Sequence, residues 1–141
     1  MAQVIIFTNE NGGVSVCVPA GELNIDAVKA KDTPDHSIIV DDSILPNADN
    51  DFFNSWELAN GVVTVNITKA IAQQQANLNA LAKSEASHRA TNTGAGIPNK
   101  LADSDWLALL TTARTAIASA TTTQGLRDAV APVQSAINDN V

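Results

Sequence analysis

A single cysteine, Cys17, stands among the 141 residues. One thiol forms no intramolecular disulfide and offers no thiolate cluster to zinc, which removes the disulfide-stapled and zinc-finger classes. Cys17 falls in a strand-like alternation and reads as a small buried hydrophobe. Long hydrophobic runs are missing as well. The apolar run Val4–Phe7 is far too short for a signal peptide, and Met1-Ala-Gln3 before it carries no basic residue. No segment approaches the ~20 apolar residues of a membrane span. The expectation is a chain kept in a reducing cytoplasm, with no membrane partner.

Basic charge is scarce, and unevenly so. Residues 1–66 hold ten acids against Lys29 and Lys31, a net of −8; residues 67–141 hold five acids against six bases, a net of +1, and together they give the −7 of the chain. An acidic half offers no field for phosphate, so nucleic acid is not an expected partner. The nearly neutral half is coated with Thr, Asn, Gln, Ser and Ala. Such a surface is easily desolvated and suits lasting contact with protein, although it equally suits a solvated helix with neutral decoration. The hydrophobic fraction is 45%, but 23 of those residues are alanines, which bury little area. The large apolar residues suffice for one modest core and not for two, so a second lobe is expected to need a partner.

Patterns that carry catalysis or hold metal are lacking. Asp41, Asp42, Asp49 and Asp51 lie close together, yet a calcium loop begun at Asn47 would put Phe52 where a glycine is required and Leu58 where the bidentate glutamate belongs. A solvated acidic loop is the better reading. His36 follows Asp35 in a loop after Pro34, and His88 lies at an exposed helix end; both read as surface histidines rather than general bases. Neither Gly12-Gly13 nor Gly94-Ala-Gly96 has the strand-to-helix setting and lysine of a phosphate loop, and no nucleophile elbow occurs. The chain is therefore read as no enzyme, with no cofactor and no metal site.

What is present is organisation. Val4–Phe7 reads as a strand covered on both faces, Asn9–Gly13 as a turn, and Val14–Val18 as a returning strand of period two. Leu23–Lys31 suits a short helix with Asn24 as cap, ended by Pro34. Ser37–Val40 is a third strand, and Asn47–Asp51 a polar turn. Trp56 and Leu58 then alternate with polar neighbours, Asn60-Gly61 tolerates positive φ at both centres of a two-residue turn, and Val62, Val63 and Val65 return. The period changes at Asn66, where Asn66 or Thr68 can cap a helix continuing through Ile67, Ile71, Gln74, Leu78 and Leu81. In heptads, Ile71, Leu78 and Glu85 share one position and Gln74, Leu81 and His88 the other, so only the middle of the seam is apolar. A linker rich in glycine follows. The next helix has Asp103 or Ser104 as cap and Trp106, Leu107, Leu110, Ala113 and Ile117 inward. Thr121–Thr123 caps a last helix, in which Pro132 is expected to force a kink or restart.

The fold class expected is α+β: a small N-terminal antiparallel β lobe over 1–66, a long helix over 67–93, a linker over 94–99, and a C-terminal helical hairpin over 100–141. Trp56 and Trp106 lie on apolar stripes and read first as core. A helix over Ile67–Arg89 spans about 35 Å at 1.5 Å per residue, longer than the small lobe before it can cover. Its apolar residues are therefore expected to meet another protein chain, with Ile71, Leu78, Leu81, Trp106 and Leu110 as the partner-binding residues.

From its start to Ala70 the chain resembles a family of small tailed-bacteriophage proteins. The likeness is carried by Val4-Ile-Ile-Phe-Thr-Asn-Glu-Asn-Gly-Gly-Val-Ser-Val16, Ala30-Lys-Asp-Thr-Pro34, Val40-Asp-Asp-Ser-Ile-Leu-Pro46, Phe53-Asn-Ser-Trp-Glu57 and Val65-Asn-Ile-Thr-Lys-Ala70. Genes for such proteins commonly lie beside tail-fibre genes. The resemblance implies a tail-fibre assembly chaperone or small fibre-associated tail protein that acts by protein–protein binding in virion assembly. The alternative is a structural virion subunit, in the baseplate or a fibre network, oligomerising through its helices. Its implied partner is a tail-fibre or other tail protein, or a second copy of itself. Its implied place is the host cytoplasm during assembly, with retention in the virion tail as the further option. The family's usual continuation is a highly charged helix, whereas Gln73–Ala80 here is uncharged.

Overall fold

A computed structural model describes residues 2–21 and 24–141. The fold is α+β, and the chain divides into two compact units, residues 1–66 and 67–141.

The first unit is built on a three-stranded antiparallel sheet of order β2-β1-β3, with β1 at Gln3–Thr8, β2 at Val14–Cys17 and β3 at Ile38–Asp41. Register pairs Ile6 with Val16 on one side and with Ile38 on the other, so like-facing apolar residues stand in one row. The β1–β2 turn is held by Asn9, whose Oδ1 accepts from the backbone N–H of Asn11 (3.0 Å) and Gly13 (3.1 Å). Because side chains alternate, Val4 and Ile6 point to one face and Ile5 to the other, and all three are buried. Helix α1 (Ile25–Asp32) packs on β1 and β3, with Val28 buried. Asn24 caps it, its Oδ1 accepting from the Ala27 N–H at 2.8 Å. Leu23, placed in this helix by its periodicity, lies outside the described residues.

On the Val4–Ile6 face sits a two-stranded hairpin, β4 (Trp56–Ala59) and β5 (Val62–Val65), joined through Asn60 (φ 52°) and Gly61 (φ 77°). Both turn centres take the positive φ that Asn-Gly accommodates. Val4, Ile6, Val14, Leu45, Trp56 and Val63 form the core between the layers. Trp56 is 1% exposed, and burying an indole is worth on the order of 5 kcal/mol by area. Its Nε1–H donates to the Asp49 carbonyl (3.2 Å), which removes the cost of an orphaned donor. The polar turn expected over Asn47–Asp51 is part of a longer segment, Asn47–Ser55, that winds as consecutive 3₁₀ turns and buries Phe52 and Ser55. Cys17 is only half-buried. Asp41 caps the preceding 3₁₀ turn (Asp42–Ile44) by accepting from the Ser43 N–H at 2.9 Å, and this bond holds its carboxyl below the usual range.

The second unit is three helices: α2 (Ile67–Gly94), α3 (Asp103–Ser119) and α4 (Thr123–Asp139), each packed on the other two. Leu78, Trp106, Leu110, Ala113, Ile117, Leu126 and Val133 are buried. The 94–99 linker and the C-terminal helices thus belong to the same compact body as the long helix. Two expectations are corrected here. The apolar residues do furnish a second core, because polar side chains fill positions that large hydrophobes would otherwise have to occupy. Leu78, Trp106 and Leu110 do not wait for a foreign chain, because α2 finds its cover in α3 and α4.

The ends of these helices follow their local chemistry. Helix α2 continues through Gly94, the first residue of the linker expected over 94–99. It closes with the Gly96 N–H donating to the Thr93 carbonyl (3.2 Å) and the Ile97 N–H to the Asn92 carbonyl (2.8 Å). That is a Schellman closure, and Gly96 at φ 74° supplies its left-handed residue. The N-cap of α3 is Ala102, which offers no side-chain bond, and not Asp103 or Ser104. The Asp103 carboxylate is held by Arg89 instead. Thr122 caps α4, its Oγ1 accepting from the Gly125 N–H at 3.0 Å. Pro132 does not restart this helix: α4 runs without interruption from Thr123 to Asp139, with Pro132 exposed.

Candidate functional site

The buried stripe of α2 is mostly polar. Its buried residues are Ala70, Gln74, Leu78, Glu85, Arg89 and Asn92, spaced by three, four or seven. The stripe therefore continues past the apolar middle of the seam, with hydrogen-bonding side chains facing α3 and α4. Gln74 Nε2 donates to the Leu126 carbonyl (2.9 Å), and Asn77 Nδ2 to Gln74 Oε1 (3.0 Å).

At the far end the polar contacts converge. Arg89 is 6% exposed. Its Nε and Nη2 both donate to Asp103 Oδ1, at 3.1 and 2.7 Å, and Nη2 also donates to the Leu101 carbonyl. The guanidinium lies 5.9 Å from the centroid of the Trp106 ring, within cation–π range. Asp103 itself faces water, so the pair is screened on one side and buried on the other. Asn99 and Asn140 cross-link the remaining chain ends. Asn99 Oδ1 accepts from Asn92 Nδ2 (3.0 Å) and Asn140 Nδ2 (3.2 Å), while Asn99 Nδ2 donates to the Arg89 carbonyl (3.3 Å). Asn140 Oδ1 accepts from the Lys100 N–H (3.0 Å). His88 Nε2 lies 2.6 Å from the Asn140 carbonyl oxygen. A carbonyl only accepts, so that nitrogen carries the proton.

Two clefts flank this polar end. One, of about 470 Å³, lies between α2 and α3 and is lined by Ala86, Ala90, Thr93, Trp106 and Leu107, with Arg89 and Asp103 at its edge. Leu107 is 60% exposed there, although its periodicity places it inward. The other, of about 340 Å³, lies between α2 and α4 and is lined by Leu81, Ser84, Glu85, His88, Ile137 and Asn140.

Of the residues expected to bind a partner, Leu78, Trp106 and Leu110 are core. Ile71 is half-buried, and Leu81 is half-buried on the wall of the second cleft. Glu85, Arg89, Asn92, Asn99 and Asn140 escaped the sequence reading as site residues. Spacing held the signal for the three on α2: they continue the line from Leu78 at helical intervals, but a hydrophobicity pattern does not score polar residues as inward. The two asparagines outside α2 carried none. His36 is exposed in the first unit, its Nε2 at 3.1 Å from the Thr8 carbonyl and its ring edge-on to Phe7.

Among the described residues no three His, Cys, Asp or Glu side chains gather as a metal site, and no helix is long and apolar enough to cross a membrane. No protein family, curated protein or solved structure matches the chain.

Proposed function

We propose that the chain is a protein-binding component of tailed-phage assembly, a tail-fibre chaperone or small fibre-associated tail protein whose helical unit carries the contact. The observation behind this is the outer face of α2 and α3. The hydroxyls of Thr111, Thr115 and Ser119 donate to the carbonyls of Leu107, Thr111 and Thr115, each at 3.1 Å. Those of Ser87 and Thr91 donate to Lys83 and Ser87, at 3.3 and 2.9 Å. A hydroxyl satisfied by its own helix loses little when water leaves, and it turns a methyl or methylene outward. Exposed Ala72, Ala76 and Ala80 extend this small-residue surface along α2, with Lys83 the one exposed charge between them and Ser87. The cleft at Leu107 gives that surface a concave place for apolar side chains of a partner. The class of partner, a fibre or other tail protein, rests on the resemblance of the stretch that ends at Ala70.

The test is co-expression with a tail-fibre protein from the same genome, followed by affinity purification. Leu107→Asp is expected to lower the captured fibre by about tenfold or more, as loss of a buried anchor does, with an unchanged far-ultraviolet spectrum. A wild-type chain that forms homo-oligomers and captures no fibre selects the structural-subunit alternative. A monomer that captures nothing ends both readings.

A further inference from the structure

Glu85 is 3% exposed, and its Oε2 atom has no hydrogen-bond partner. Arg89, one turn further along α2, is the obvious counter-charge, but its donors go to Asp103 and the Leu101 carbonyl. His88, also on this side of α2, directs its Nε2–H to Asn140. An ionised carboxylate only accepts, and holding one out of water without a donor is unfavourable. The carboxylate lines the cleft of about 340 Å³ between α2 and α4. The walls beside it, Leu81 and Ile137, are apolar and half-buried.

We propose that this cleft is a binding site for a primary alkylammonium group, the ammonium on Glu85 and the alkyl stem between Leu81 and Ile137. The pairing follows from the mixture of surfaces. A divalent cation needs several oxygen or nitrogen ligands, and among the described residues no three His, Cys, Asp or Glu side chains gather here. A guanidinium favours a flat two-oxygen fork, whereas a compact ammonium with rotatable donors needs only the Oε2 atom that lacks a partner. A lysine side chain presents such a charge on a four-carbon stem, and so does a free alkylamine. The site stands apart from the Leu107 cleft and does not depend on the fibre reading.

The experiment titrates the ¹⁵N-labelled full chain with n-butylammonium chloride, n-butanol and Nα-acetyl-lysine N-methylamide, following the amides of Leu81, His88 and Asn140. Saturable shifts with n-butylammonium are expected, with n-butanol weaker by about tenfold or more, since its hydroxyl can donate to the carboxylate but brings no opposite charge to it. Tighter binding of the lysine derivative assigns the site to a lysine of a partner protein; equal binding assigns it to free amines. Glu85→Gln keeps shape and helix propensity and is expected to lose the preference for n-butylammonium over n-butanol. Should Glu85→Gln fail to fold, Leu81→Ala is expected to weaken n-butylammonium and n-butanol together. The proposal is overturned if n-butylammonium binds no better than n-butanol, or if Glu85→Gln retains the preference.

Discussion

Arg89 is the side chain on which the end of the helical unit most depends, and the two halves of its ion pair are not equivalent. Its guanidinium is buried against Trp106 and bonded to the Leu101 carbonyl, whereas the Asp103 side chain is 84% exposed. Arg89→Ala removes packed methylenes and leaves the part-buried Leu101 carbonyl short of a donor, at a cost of about 2–3 kcal/mol. Asp103→Asn keeps the packing and alters a screened charge, so about 1 kcal/mol or less is expected. Urea denaturation of the two variants checks the order; equal losses would mean that charge, not packing, holds this end together. The contrast explains why the site was only partly legible. Sequence marks Arg89 as a charge, and charges are read as solvent-facing. Only the tertiary neighbours Trp106 and Leu101 turn it into a core residue.

Elements were most legible where local chemistry leaves one choice. Asn60-Gly61 fits few turns other than the one observed, and the Val62–Val65 run that follows it has the β-branching of a strand. The long helix was legible too, but what covers it was not. Its stripe contains Gln74, Glu85, Arg89 and Asn92, so only its middle read as apolar, and a helix longer than the small lobe can cover suggested a foreign partner. Pro132 shows the opposite failure, a strong local rule that packing overrides. Proline lacks the N–H that would bond the Asp128 carbonyl, yet Leu126, Ala129 and Val133 are buried along the inner side and hold α4 through the break. Pro132→Ala restores that bond and removes ring crowding, at the expense of a more flexible unfolded chain. The balance is expected to stabilise the helical unit by about 1–2 kcal/mol, read as a higher urea midpoint. A lower midpoint would show that the proline ring packs productively on the outside of α4.

At the scale of the molecule, one chain carries two bodies of opposite electrostatic character. The sheet unit, 1–66, holds a net charge of −8, and the helical unit, 67–141, a net of +1. A body as small as the sheet unit buries a smaller share of its surface than a larger domain and has little stability to lose. Self-repulsion among its ten acids acts against compaction. Salt screens that repulsion, because the Debye length shrinks from tens of ångströms at low salt to a few at high salt. The helical unit has no such repulsion to relieve. Scanning calorimetry is therefore expected to resolve two transitions, the helical one identified by its loss of far-ultraviolet signal. Between about 0.02 and about 0.5 M NaCl the sheet transition should rise by roughly 4–8 °C, the shift that about 1 kcal/mol produces in a domain this small. The helical transition should move much less. A single transition would mean that the two units unfold as one cooperative body. Two transitions shifting equally would mean that salt acts through hydrophobic burial, which both units share, rather than through the charge that only one of them carries.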